Sequence, residues 1–499
     1  MVGRRRKFAW AVTLVLAATT GGTGTLGGPA AATPALPLAM LRVTVTSGAD
    51  DGSPGTFRAA LEGATSADAH EIVIDPAVTT ITLDNCADGR PMMDSPGAGP
   101  LTIVGNGATI RQTCTGAGVF GSVSGIDIAD VTITGGFAFD SGGGVVLGGP
   151  SVLTGVTVTG NVSAGVGGGI AGQQVTLVRS AVTQNRARFV GGGVSATSIA
   201  VDTSTLSDNA APIGSGIGSN GAIDLRFATV VSNDEGPNLL VGRELTSFGS
   251  VIGLGSADCV FGPLGSSRSL GYNVVVDGSC RFTEPSDQMP VHPAVGPLGL
   301  HDGRTPNHLP RSGSLLIDAI PGDHPACTGT DQRGFARPER GACDIGSVEV
   351  RTPTTRGGTF TTAAGTPLVV DLRTLVDDPD EVLLTYVVGP PAHATLFLAP
   401  PSGSSGCFGY PDVIDPPPYV LNCRVSGPPA PHAALGGSLW PASLSVIRYE
   451  PDAGFAGSDS MALVLCDARD VICTEPATIT VEVTAAPASP VPLEPRFTG

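Results

Sequence analysis

Four asparagines in this chain keep one step: Asn161, Asn185, Asn209 and Asn233 are each 24 residues apart. Leu153, Leu177, Val201 and Leu225 keep the same step, and so do Val158, Val182, Leu206 and Val230. Glycine clusters punctuate the units at Gly142-Gly143-Gly144, Gly167-Gly168-Gly169, Gly191-Gly192-Gly193 and Gly214-Ser215-Gly216. A period in the twenties signals stacked supersecondary units. Within a unit, Val175 to Thr183 is rich in β-branched and small residues with alternation rather than a helical stripe. Such a unit is too short for two strands and a helix with their loops. It fits one turn of a coil built from short strands and tight corners.

Stacked coils place each residue above its equivalent about 4.8 Å away, the spacing of neighbouring strands. The two aliphatic rows then point inward. The asparagines form a ladder at a corner, where amides bond rung to rung and Asn tolerates left-handed backbone. The glycines supply positive φ or close backbone approach at other corners. The fold class expected is all-β: a parallel β-solenoid in which each coil touches only its neighbours. A Gly/Ser linker is the bland alternative, but linkers do not hold aliphatic residues in register over four units.

The chain has 499 residues, enough for two or more domains. Gly 71 and Pro 42 exceed ordinary usage, yet hydrophobic residues make up 41%, so glycine and proline here punctuate strands rather than mark disorder. The formal charge of −17 argues against nucleic acid as a partner. Lys7 is the single lysine, so a chain processed after it has no Schiff-base or general-base lysine.

Arg4-Arg5-Arg6-Lys7 followed by apolar Phe8 to Ala18 and by Ala30-Ala31-Ala32 reads as a secretory signal peptide over 1–32. A twin-arginine route ranks second, and a retained N-terminal anchor is the alternative. No later segment suits a membrane span, so the mature chain is expected to be secreted or held at the cell surface. The ten cysteines fall into neighbouring pairs: Cys86 and Cys114, Cys259 and Cys280, Cys327 and Cys343, Cys407 and Cys423, Cys466 and Cys473. An even count in a secreted chain implies disulfides, with sequential pairing expected. Zinc is the alternative for some pairs, without a Cys-x-x-Cys to support it.

Residues 41–125 read as irregular first coils, with a short capping helix over Thr56 to Ala64 to cover the open end. Residues 285–350 carry Thr330-Asp331-Gln332-Arg333-Gly334 and Cys343-Asp344-Ile345-Gly346. On these motifs, on the glycine-rich rungs and on the opening Val45-Thr46-Ser47-Gly48-Ala49-Asp50, the stretch 41–350 resembles bacterial surface proteins with parallel β-helix repeats and a choice-of-anchor C-terminal region. The resemblance implies a single-stranded right-handed β-helix of the pectate-lyase-like superfamily. Arg333 and Asp344 are expected to lock a disulfide-tied C-terminal cap onto the last coil. Residues 356–485 read as a β-sandwich similar to the Ig-like or cadherin-like repeats of bacterial surface proteins. A Pro-rich insertion from Pro400 to Pro441 and a disordered tail over 486–499 complete the chain.

The superfamily includes polysaccharide lyases and glycoside hydrolases, which need a base with a cation or arginine, or a carboxylate pair. On the coils, Asp202 and Arg226 stand one period apart near one corner, with Asp224 beside them. These are the catalytic candidates, and a surface ion pair is the alternative reading. No histidine lies between Asp75 and Gln288, so the regular coils hold no histidine base. Asp377, Asp378 and Asp380 have spacing suited to calcium, with plain loop solvation as the alternative reading. The function expected is a non-catalytic one: a flat face of Thr, Ser and Asn offered to a polysaccharide or to another extracellular partner, in adhesion or carbohydrate binding.

Overall fold

The computed structural model describes residues 40–64, 69–86, 93–95, 99–311, 313–339, 341–380, 385–389, 391–398, 438–441, 446–466 and 474–485. The signal-peptide segment, most of the Pro-rich insertion and the tail lie outside them, as does the pair Cys407 and Cys423. Of the pair Cys466 and Cys473, nothing is described beyond the strand that ends at Cys466.

Parallel strands stack in one 23-stranded ladder, and residues 101–275 make a β-solenoid of about 7 turns. The register follows the 24-residue period. Leu153 pairs with Leu177, Leu177 with Val201 and Val201 with Leu225 on one side of the coil. Val158, Val182, Leu206 and Val230 pair the same way on a second side. A third side carries Val145–Leu147, Ile170–Gly172, Val194–Ala196 and Ile217–Ser219 in register. The inward members of all three rows are buried in one continuous core. Met40–Val45 and Ala69–Ile74 extend the first side toward the N-terminus. The helix Phe57–Gly63, capped by the Thr56 hydroxyl, plugs that end with Phe57 and Leu61 fully buried.

The asparagine ladder forms rung on rung. The Asn209 Oδ1 accepts from the Asn185 backbone N–H at 3.1 Å and from its side-chain amide at 3.0 Å. The Asn209 amide in turn donates to Val182 O at 2.8 Å and to Asn233 Oδ1 at 2.9 Å. The asparagines do not themselves take the left-handed backbone expected of them. The residue before each does: Gly160 (φ 66°), Gln184 (57°), Asp208 (57°) and Ser232 (56°). The turn falls one residue earlier, which leaves the amide pointing into the stack. The third glycine of each cluster lies against that amide, and a Cβ at Gly169 would stand 2.9 Å from Asn185 Cγ.

Among the described residues, three disulfides are present, Cys86–Cys114, Cys259–Cys280 and Cys327–Cys343. Residues 291–350 do not simply close the last coil, as the sequence suggested. They lie along the flank of the second side and cover several rungs. The cap has its own buried cluster, in which Val295, Leu316, Ile320, Cys327, Cys343 and Ile345 pack on Phe227, Val231, Val251 and Val274. The strand Thr205–Ser207 is therefore buried on both faces.

Beyond the cap lie a five-stranded sheet (Gly358–Ala363, Ala477–Thr484, Gly457–Cys466, Thr385–Val388, Ser438–Pro441) and a three-stranded sheet (Leu368–Asp371, Val446–Pro451, Ala394–Leu398), mostly antiparallel. Their common core takes in Ile317 and Val350 from the cap.

Candidate functional site

Three polar features of the solenoid decide what it can bind. The first is the outer surface of the second side. Thr80 pairs with Thr109, Thr109 with Thr132 and Thr132 with Thr157. Two residues on, Thr82, Arg111, Thr134, Thr159 and Thr183 form a parallel row. Period-two alternation puts both rows outward, with Ile81, Ile110, Ile133 and Val158 between them facing the core. Rungs repeat about every 4.8 Å and the rows stand roughly 6.5–7 Å apart. Residues Thr80 to Thr134 and Thr159 keep solvent access, whereas Thr157 is 6% and Thr183 2% exposed. On the following rung the cap takes over these positions, with Gln332 on Thr205 and His308 on Ser207.

The second feature is the seam between cap and solenoid. Thr205 Oγ1 donates to Gln332 Oε1 at 2.6 Å and lies 3.0 Å from Ser347 Oγ. The Ser347 N–H donates to Thr229 Oγ1 at 3.0 Å, and the Gly346 N–H to Gly249 O at 2.8 Å. His308 Nδ1 donates to Gly296 O at 2.7 Å, so the neutral ring presents the Nε2 lone pair, which accepts from the Ser207 hydroxyl at 2.8 Å. Burial holds the His308 pKa below its ordinary value. A serine bonded to an oriented histidine is the layout of a nucleophile and its base. Here both are buried, Ser207 completely, and the pair fastens the cap.

The third feature is a buried ion network under the cap. Arg333 donates to Asp331 at 2.9 Å, to Asp380 at 2.8 Å and to the Glu349 carbonyl at 2.5 Å. Arg351 reaches Asp380 at 2.7 Å and Asp302 at 2.8 Å. Burial pushes the Asp380 carboxyl up, but the two guanidiniums outweigh it and hold its pKa below the usual range. Arg337, fully buried, donates to Glu349 at 2.7 Å and to the carbonyls of Asp344 and Gly346. Asp344 accepts from the N–H groups of Asp318 and Val350, and burial followed by the charge of Glu349 raises its pKa.

The residues singled out in the sequence are placed as follows. Asp202 and Arg226 are register partners, 3.5 Å apart, with side chains 39% and 44% exposed. Arg226 also donates to the carbonyl of Ala326 and so steadies the cap. Asp224 is exposed on the same strand as Arg226 and pairs in register with Ala200 and Thr246. The arrangement is a surface ion pair with a neighbouring carboxylate. Asp377, Asp378 and Asp380 do not converge. Asp377 is exposed on a ladder with Thr354, while Asp380 is 4% exposed and held by arginine. Among the described residues, no three His, Cys, Asp or Glu side chains are grouped so as to hold a metal ion. Arg333 and Asp344 do join the cap together, but through the network below it and not through the last coil.

Sequence reading missed a second ladder. The Ser204 hydroxyl accepts from the Ser180 N–H at 2.9 Å, and the Ser180 hydroxyl accepts from Val156 one coil earlier. Its 24-residue spacing was visible, but serine is common enough in loops that two copies carry little signal. Against protein-family models and curated proteins, the chain matches no family model and no curated protein in sequence.

Proposed function

We propose that this chain is a secreted or cell-surface β-solenoid that binds an extended polysaccharide or another extracellular partner without turning it over. The observation that carries the reading is the pair of solvent-accessible rows Thr80, Thr109, Thr132 and Thr82, Arg111, Thr134, Thr159. A rigid sheet holds hydroxyl and methyl groups at fixed repeats, so a periodic ligand meets many equivalent contacts without ordering loops first. Disulfides fit an oxidising compartment. No helix among the described residues is long and apolar enough to cross a membrane. The solenoid is read as right-handed, and the two C-terminal sheets as an Ig-like or cadherin-like sandwich that serves as a spacer. Exposed pairs such as Asp202 and Arg226 lack the enclosure that shifts a group toward catalysis.

The test is retention of the whole secreted chain on a panel of acidic and neutral polysaccharides, with reducing and unsaturated ends followed in parallel. Retention on one glycan class without new ends is expected, and a T132K/T134K variant should lose it by about tenfold or more. Turnover would establish the alternative, a polysaccharide lyase or glycoside hydrolase. Retention unchanged in the double variant would remove the threonine face from the reading.

A further inference from the structure

One corner of the solenoid is a stacked row of left-handed residues: Asp130 (φ 51°), Gly155 (63°), Arg179 (47°), Thr203 (49°), Phe227 (47°) and Gly249 (56°). Gly155 is the gap in this ridge between two charged side chains. A Cβ there would stand 2.6 Å from Asp130 Oδ1, so any larger residue would fill the space. The cap roofs the gap with Arg304 and Thr305. The result is a cavity of about 320 Å³, lined by Asp130, Gly155, Arg179 and Arg304 among others. That is within the usual range for small-ligand sites, roughly 300–1,000 Å³.

The two cations of this notch are weakly engaged. Arg179 makes a 3.5 Å contact to the hydroxyl of Thr330 and no ion pair with a described carboxylate. Arg304 stands 3.7 Å from Asp130 with its side chain 75% exposed, a pair worth little in water. By contrast the Asp302 carboxylate on the rim is taken by Arg351 at 2.8 Å, and Arg333 on the wall is spent on Asp331 and Asp380. The position of Arg179 is itself set. Its backbone carbonyl accepts from Thr305 Oγ1 at 3.2 Å, and Gln332 Nε2 donates to that same hydroxyl at 2.9 Å. So the guanidinium stands on a rung fixed to the cap.

We propose that this notch binds a planar or tetrahedral oxyanion carried by a ligand, a carboxylate, sulfate or phosphate, gripped between Arg179 and Arg304. A guanidinium offers a paired N–H fork that matches two oxygens of such a group, which is why arginine and not lysine suits the position. The anion displaces Asp130 from Arg304 and leaves that carboxylate to accept from hydroxyl or amino groups elsewhere on the ligand. The site is separate from the threonine face and stands or falls without it.

The experiment is calorimetric titration of the whole chain, at low ionic strength, with inorganic sulfate, inorganic phosphate and glucuronate as three probes. Saturable binding of at least one is expected, and the order among them identifies the oxyanion. Arg179→Gln should weaken it tenfold or more and Arg304→Gln severalfold, while Arg268→Gln, an exposed strand position elsewhere on the solenoid, should leave it unchanged. Glutamine is tolerated at this backbone conformation, since Gln184 holds φ 57° at the other corner. Arg179→Lys keeps the charge and loses the fork, so it should retain only part of the affinity. Absence of saturable binding for all three probes, or equal binding by Arg179→Gln, overturns the proposal.

Discussion

Asn209 shows how much a single side chain carries in this fold. It satisfies the Asn185 backbone N–H, the Asn185 amide, Val182 O and Asn233 Oδ1, all inside the stack. Asn209→Ala strands those groups away from water, at a cost of about 1–3 kcal/mol for each buried group left unpaired. The expected outcome is a lower urea midpoint at an unchanged m value. Asp258 supplies a pH signature. It is 2% exposed, and burial, reinforced by Asp277 against the N–H groups of Asp277 and Val276, lifts its pKa to about 7. A carboxyl with a raised folded-state value binds a proton on folding. Its contribution is full below the unfolded value of 3.8 and is lost as pH rises through about 7. Stability should therefore fall with a slope approaching about 1.4 kcal/mol per pH unit inside that window, and Asp258→Asn should flatten it. Equal slopes in the two proteins, measured by denaturation across the window, would remove Asp258 as the cause. The corner asparagines were legible in the sequence because they repeat. Asp258 was not, because nothing local distinguishes a buried carboxyl from a loop aspartate.

At the scale of the element, the cap is the part that folding reassigns. Its motif residues were visible, but their targets were not: Thr205 and Gln332 are 127 positions apart and share no pattern. Asp380 illustrates the same gap. Three aspartates in four positions suggested a cation, while the fold delivers two guanidiniums to one of them. Removing that carboxylate should be costly, because Arg333 and Arg351 would keep only Asp331 and Asp302 as charged partners and would lose their shared hydrogen bonds. Asp380→Ala is expected to lose about 1–3 kcal/mol. Hydrogen exchange should show faster exchange across 291–350 with the central coils unchanged; uniform loss across all coils would refute a role confined to the seam. Cys327–Cys343 closes a loop of sequence separation 16 within the same cap. Its loss in Cys343→Ser should cost about 3 kcal/mol and raise proteolysis in that segment first.

For the whole molecule, the coils alone would behave as a one-dimensional stack, each stabilised by its neighbours. The cap changes that. It bonds to rungs at Arg179, Thr205, Thr229 and Gly249, and its core residues Ile317 and Val350 also enter the core of the C-terminal sheets. Solenoid, cap and C-terminal sheets are thereby tied in series. Reduction by thiol should accordingly unfold the cap at a lower temperature than the coils, with the far-ultraviolet β signal persisting through the first transition. A single transition at all reductant concentrations would mean that the coils depend on the cap throughout.

The sequence by itself determined the solenoid, its 24-residue register, the inward aliphatic rows and the asparagine ladder. Stacking converts sequence period directly into spatial neighbourhood, so local pattern is enough. Tertiary structure alone decided which face of that solenoid is available. Thr205 and Thr229 continue the threonine row on later rungs, and the path of residues 291–350 over those rungs buries them while the earlier ones stay open. That path depends on contacts more than a hundred positions apart, which no local periodicity encodes.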